Sequence, residues 1–262
     1  MIKIALSLAF VSAAISPAIA QDAFSGTWKG DLSASNLSTK PSISLIDKGQ
    51  YTCITCKPVV KVAADGAWHT VAGQPYYDEM SVTIVDPAVV KYATKKDGKV
   101  VSDVTETLSA DGKSISTVFS ELVGTSDVPI TGTSVSERVA PAPAGAHAAS
   151  GSWRQTKDAQ VSDSGLVFTL AQAGKVVTYS TPTGISFAAT IGGPAATVTG
   201  DPGWTTVSLT QPSARTLHET DSLDGKVTGK YLMTVSPDGK TMTINVNDIK
   251  HGRTSKLIAY KQ

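Results

Sequence analysis

The sequence predicts an all-β protein, two tandem antiparallel β-barrels behind an N-terminal signal peptide. Three observations predict it. First, the chain is written twice. TVAGQP, SVT, DGKV and SADGKSIST around Gly73 return as TVTGDP, SLT, DGKV and SPDGKTMTI around Gly200, at a constant offset of 127 residues. A fixed long period means that the fold unit is half the mature chain. Second, Asp-Gly recurs at Asp65, Asp97, Asp111, Asp224 and Asp238, flanked by β-prone residues. That dipeptide tolerates the positive φ angles of a two-residue hairpin turn. Third, the segments between turns alternate with period 2, and none shows sustained helical periodicity with caps.

The elements follow in order. Residues 1–20 read as a signal peptide: Lys3, an apolar run from Ile4 to Ile15, and Ala18-Ile19-Ala20 before Gln21. The run is too short and wrongly flanked for a membrane span. No Cys follows the cleavage site, so the expected location is periplasmic or secreted, without a lipid anchor. Residues 22–139 form the first expected barrel, 140–148 a Pro/Ala linker, and 149–262 the second barrel. In the linker, Pro141 and Pro143 remove amide donors and favour a stiff spacer. Ser150-Gly151-Ser152-Trp153 then echoes Ser25-Gly26-Thr27-Trp28. Within the second copy, Met242, Ile244 and Val246 alternate with Thr241, Thr243 and Asn245. Val227, Tyr231, Met233 and Val235 mark one face of the strand before it. Seven to nine short strands per copy suit an antiparallel barrel or sandwich.

Composition narrows the functional classes. A formal net charge of +1 argues against electrostatic capture of nucleic acid or an anionic membrane. Aromatic residues make up 6% of the chain, too few to suggest stacking platforms for bases.

The Gly-x-Trp first strand, the many antiparallel strands and a basic residue on the last strand resemble the lipocalin-type (calycin) barrel. The resemblance implies a Trp across the closed end with a late base packed over it. Those positions would be Trp28 with Arg138, and Trp153 with a base near the terminus such as Lys261. The strings Gly73-Gln74-Pro75-Tyr76-Tyr77-Asp78, SADGK and GAHAASGSW resemble exported bacterial proteins with tandem lipocalin-like repeats. This resemblance covers nearly the whole mature chain and implies a fold without an activity.

Chemistry-bearing residues are few. Cys53 and Cys56 form a Cys-x-x-Cys followed by Lys57, so the covalent haem pattern is absent. No second Cys pair completes a zinc site, and no βαβ context supports a redox motif. A local structural disulfide is the expected role, with redox exchange or metal capture as alternatives. His69, His147, His218 and His251 lack the spacing of a metal pair, and no Gly-x-Ser-x-Gly nucleophile motif occurs. No catalytic residue, metal or cofactor is therefore predicted. Glu106 is the anomaly, because it aligns with Met233 on the face assigned inward beside Val104 and Leu108. A carboxylate there is costly unless paired or solvated. It is either a ligand anchor in a wet cavity or a barrel-mouth residue bonded to a neighbouring base; the second is the expectation. Tyr77, Trp204 and Tyr231 join it as candidate ligand contacts. The function expected is non-enzymatic binding of a small hydrophobic ligand inside a barrel. The alternative is a structural or protein-interaction module of the cell envelope with filled barrels, its protein partner unspecified.

Overall fold

The computed structural model describes residues 22–37 and 40–262, so the signal-peptide reading of residues 1–20 lies outside the described residues. The first half of the chain supplies β1 (Gly26–Asn36), β2 (Ser42–Asp47), β3 (Gln50–Cys53), β4 (Val60–Ala63), β5 (His69–Thr70), β6 (Glu79–Asp86), β7 (Val89–Lys96), β8 (Lys99–Leu108), β9 (Ser114–Glu121) and β10 (Ile130–Ala140). The second half supplies β11 (Gly151–Val161), β12 (Val167–Ala173), β13 (Val176–Ser180), β14 (Ser186–Thr190), β15 (Ala196–Thr199), β16 (Thr206–Ser213), β17 (Thr216–Leu223), β18 (Lys226–Val235), β19 (Thr241–Asp248) and β20 (Arg253–Lys261). The fold is all-β, with two ten-stranded antiparallel sheets. One is a closed barrel. The other is nearly closed, with its edges at β4 and β5. No helix among the described residues is long and apolar enough to cross a membrane.

The sheets do not follow the repeat boundaries. The closed barrel contains β12 to β20 and is completed by β1, which lies between β12 and β20. The open-sided barrel contains β2 to β10 and is completed by β11, which lies between β2 and β10. Each barrel therefore takes its Gly-x-Trp strand from the other copy, and the expected units 22–139 and 149–262 are corrected by one strand each. Residue types alone could not reveal this exchange, because both copies offer the same strand and the same slot.

The linker is corrected too. Residues 141–150 join β10 to β11, which are neighbours in one sheet, so the Pro/Ala stretch is a hairpin connection within a barrel. The chain passes from β1 in the closed barrel to β2 in the other, and returns at 162–166 through a 3-10 turn at Asp163–Gly165.

Local turn chemistry is partly as expected. Asp97-Gly98 and Asp224-Gly225 have both residues at positive φ, the requirement of a type I′ turn. Asp65, Asp111 and Asp238 keep negative φ, and the turn glycine alone takes the left-handed region. At Asp111 the carboxylate instead accepts from the Ser109 hydroxyl and the Lys113 amide, at 2.7 and 3.0 Å.

Period-2 alternation builds two cores. Trp28, Leu170, Val177, Leu209, Leu217, Val235 and Met242 fill the closed barrel. Ile46, Val60, Val62, Val82, Val90, Ile115 and Trp153 fill the other. Met242 and Ile244 point inward as expected, whereas Val227, beside the β17–β18 hairpin, is exposed.

The tryptophan anchors are buried, with their partners exchanged. Trp153 lies under Arg138, whose guanidinium carbon is 4.1 Å from the ring centre, and Trp28 lies under Lys261 at 5.0 Å. The pairings drawn from the resemblance are thus reversed, because the strands that carry the tryptophans are reversed. Arg138 also donates to the carbonyls of Gly112, Ser150 and Ala148 at 2.6, 2.8 and 2.7 Å. Each indole N–H donates to the carbonyl four residues earlier, Trp28 to Phe24 at 2.8 Å and Trp153 to Ala149 at 2.9 Å.

The barrels touch through loops. The Ser126 amide donates to the Thr183 carbonyl at 3.0 Å, and the Tyr76 hydroxyl donates to Asp201 at 2.9 Å. Tyr76 lies so close over Gly203 that a Cβ there would overlap its hydroxyl.

Candidate functional site

An open groove of about 960 Å³ runs along the outer wall of the closed barrel. Register explains its lining. Thr210, His218, Leu232, Asn245 and Lys256 stand opposite one another across β16 to β20, forming one outward row. Thr220, Lys230, Asn247 and Thr254 form the next. Asn36, Leu37, Lys40 and Gly252 make the rim, where the Lys40 ammonium donates to the Gly252 carbonyl. Lys230 faces Asn247 directly, and Lys256 faces Asn245. Lys230 and Lys256 form no ion pair among the described residues. The single acid in the lining is Glu219, whose side chain is buried on the inner face. The surface is therefore cationic and rich in hydrogen-bonding side chains.

Behind this wall sits a buried acid–tyrosine cluster. Alternation along β17 points Leu217, Glu219 and Asp221 inward, and Glu219 stands opposite Tyr231. Glu219 and Asp221 are 7% and 2% exposed, and Asp221 Oδ1 has no hydrogen-bond partner among the described residues. Burial, and then the neighbouring Asp221 charge, hold the Glu219 carboxyl well above the usual range. Burial also pushes Asp221 up to about 7, against a downward pull from Tyr231. The same two acids and Asp201 help raise Tyr179 after burial itself. Phe168, Tyr179, Phe187 and Trp204 continue the inner wall, with successive ring centres 6.0, 5.1 and 6.1 Å apart. This cluster can hold a proton at neutral pH, but nothing in it activates a nucleophile.

The open-sided barrel has a smaller counterpart. Tyr92 donates to Glu106 at 3.1 Å, and Tyr51 meets Tyr92 edge-on at 5.3 Å. Burial raises Glu106, and the Tyr92 bond opposes that shift. The expected basic partner of Glu106 is thus corrected to a tyrosine hydroxyl, since Val90, Tyr92 and their neighbours offer no cation on that face. The repeat shows a transposition. Tyr92 aligns with Glu219, and Glu106 with Met233, so tyrosine and carboxylate exchange strands between the barrels.

The four candidate contacts are not brought together. Glu106 and Tyr77 belong to the open-sided barrel, where Tyr77 packs against the core. Trp204 and Tyr231 belong to the closed barrel, and of the four only Tyr231 lines the groove. Cys53 and Cys56 form a disulfide, with Cα atoms 5.4 Å apart. Among the described residues no group of three or more His, Cys, Asp or Glu side chains is arranged to hold a metal ion. Sequence reasoning passed over Glu219 and Asp221. Their i, i+2 spacing, in phase with Leu217 on a strand, was the available signal.

Comparison with known proteins adds no identification: no family model, no curated protein and no solved structure matches the chain.

Proposed function

We propose that the chain is an exported, non-enzymatic binding protein whose ligand is polar and anionic and lies on the outer wall of the closed barrel. The groove carries this reading. Its volume is within the range of ligand sites, and its lining offers Lys40, Lys230 and Lys256 beside Asn and Thr side chains. Lys230 and Lys256 stand two strands and two residues apart, about 12 Å from strand spacing and rise. That separation suits a chain-like ligand with repeated acidic groups, such as an acidic oligosaccharide, better than a lone small anion. The N-terminal charge and hydropathy pattern, and the Cys53–Cys56 disulfide, support an oxidising location outside the cytoplasm. The lipocalin-like resemblance supports a barrel used for binding. The groove favours its exterior over an apolar ligand within.

Calorimetric titration with a uronic-acid oligosaccharide, a neutral oligosaccharide and a fatty acid tests the proposal. Saturable binding of the acidic chain, weakened by salt and by Lys230→Glu with Lys256→Glu, is the expected result. Saturable fatty-acid binding that is indifferent to those substitutions would move the site into a barrel. The two packed cores favour a second reading, a structural or interaction module, which binding of none of the three probes would leave standing.

A further inference from the structure

The placement of β1 carries an inference independent of any ligand. We propose that two copies of this chain exchange their first strands, each β1 closing the other copy's closed barrel.

Five observations lead there. β1 makes no ladder with β2, the next strand in sequence; it is hydrogen-bonded to β12 and β20. Five residues of sequence, 37–41, separate it from β2. The slot reads Gly26–Lys29 against Val167–Leu170 and Trp28–Asp31 against Ile258–Lys261. Every copy presents those same residues, so the slot has no chemical means of telling its own strand from another's. The choice rests on effective concentration.

The open-sided barrel, meanwhile, takes all its strands from the continuous segment 42–161 and does not need β1. A chain with β1 withdrawn keeps one barrel whole and exposes one vacant slot with two unpaired edges, which is the surface strands add to. Finally, the β1–β20 ladder is interrupted between Asp31 and Asn36, and Asp31 accepts from the Ser33 and Ala34 amides there. Beyond the break Asn36 alone pairs again, opposite Lys256, and the Ser35 hydroxyl accepts from the Ile258 amide. The end of β1 can therefore change direction with the loss of few hydrogen bonds.

The test uses the purified protein refolded across a range of concentrations, followed by light scattering on the separated species. Thr27 and Thr169 are opposed across β1 and β12, their hydroxyls 3.1 Å apart. Thr27→Cys and Thr169→Cys are made on separate chains and refolded together. The doubly substituted chain serves as the control for bond formation within a monomer. Raising the concentration about a hundredfold should raise the dimer-to-monomer ratio about a hundredfold while monomer predominates. The mixed pair should then yield a disulfide between chains. Monomer at every concentration overturns the proposal. So does a dimer in which the mixed pair forms no interchain bond although the control closes its own, because another surface then makes the dimer.

Discussion

Trp28→Ala should loosen the second half of the molecule, although Trp28 lies in the first repeat. Trp28 is fully buried among closed-barrel residues, its N–H bonded to Phe24 and its ring under Lys261. Truncating a buried Trp typically costs about 3–5 kcal/mol. A loss of about 4 kcal/mol favours opening by roughly three powers of ten, since each 1.4 kcal/mol is tenfold. Hydrogen–deuterium exchange read by mass spectrometry on peptides locates that loss. In Trp28→Ala, exchange should accelerate across 167–262 and stay near wild type across 42–161. Trp153→Ala should show the reverse, because Trp153 packs with Ile46, Val60 and Val82 in the open-sided barrel. A melting temperature alone could not separate these cases. Faster exchange confined to 42–140 in Trp28→Ala would refute the strand exchange between barrels.

Further outcomes follow from the same geometry. Glu219 and Asp221 have raised folded-state values, so their contribution to stability is fully present below about pH 4 and is lost as pH rises, for Asp221 through about 7. The rise of Asp221 from 3.8 to about 7 bounds its effect at roughly 4 kcal/mol. Glu219→Gln should therefore flatten the fall in melting temperature between acid and mildly alkaline buffer, and an unchanged slope would contradict the buried pair. Gly203→Ala should dislodge Tyr76 from Asp201. Its stability loss should then overlap that of Tyr76→Phe, and strict additivity in the double variant would show the contact to be idle. Replacing Cys53 and Cys56 by Ser should cost about 2 kcal/mol, as expected for so short a loop, and leave the circular dichroism unchanged.

Sequence reasoning recovered what depends on local chemistry and repetition. Alternation placed Met242 and Ile244 inward, and the Asp97 and Asp224 turns and the buried tryptophans came from residue type. It missed what depends on which of two like partners a strand meets. Nothing in Gly26-Thr27-Trp28 distinguishes β12 from β2 as a neighbour, so the Trp28–Lys261 and Trp153–Arg138 pairs lay beyond its reach. The groove was hidden for a related reason. Lys230, Lys256 and His218 sit on separate strands at the polar positions every exposed face has, and only cross-strand register assembles them. Glu106 was noticed because an acid on an apolar stripe is rare. Its Tyr92 partner depends on a diagonal contact between strands.

The pairing of β1 with β20 also dictates an order of events. The Ser35 hydroxyl accepts from the Ile258 amide, 223 residues away in the chain, and the Gln262 amide reaches the Thr27 carbonyl at 2.9 Å. As the chain is made from its N-terminus, the first strand appears long before either of its neighbours exists. The segment 42–161 can finish its sheet during that wait, but the other barrel cannot close until the last strand is out. Bringing such distant ends together is slow, so the final step of folding should be the arrival of the oldest strand beside the youngest. A chain stopped short within β20 would leave its first strand only β12 to dock on, with the barrel open.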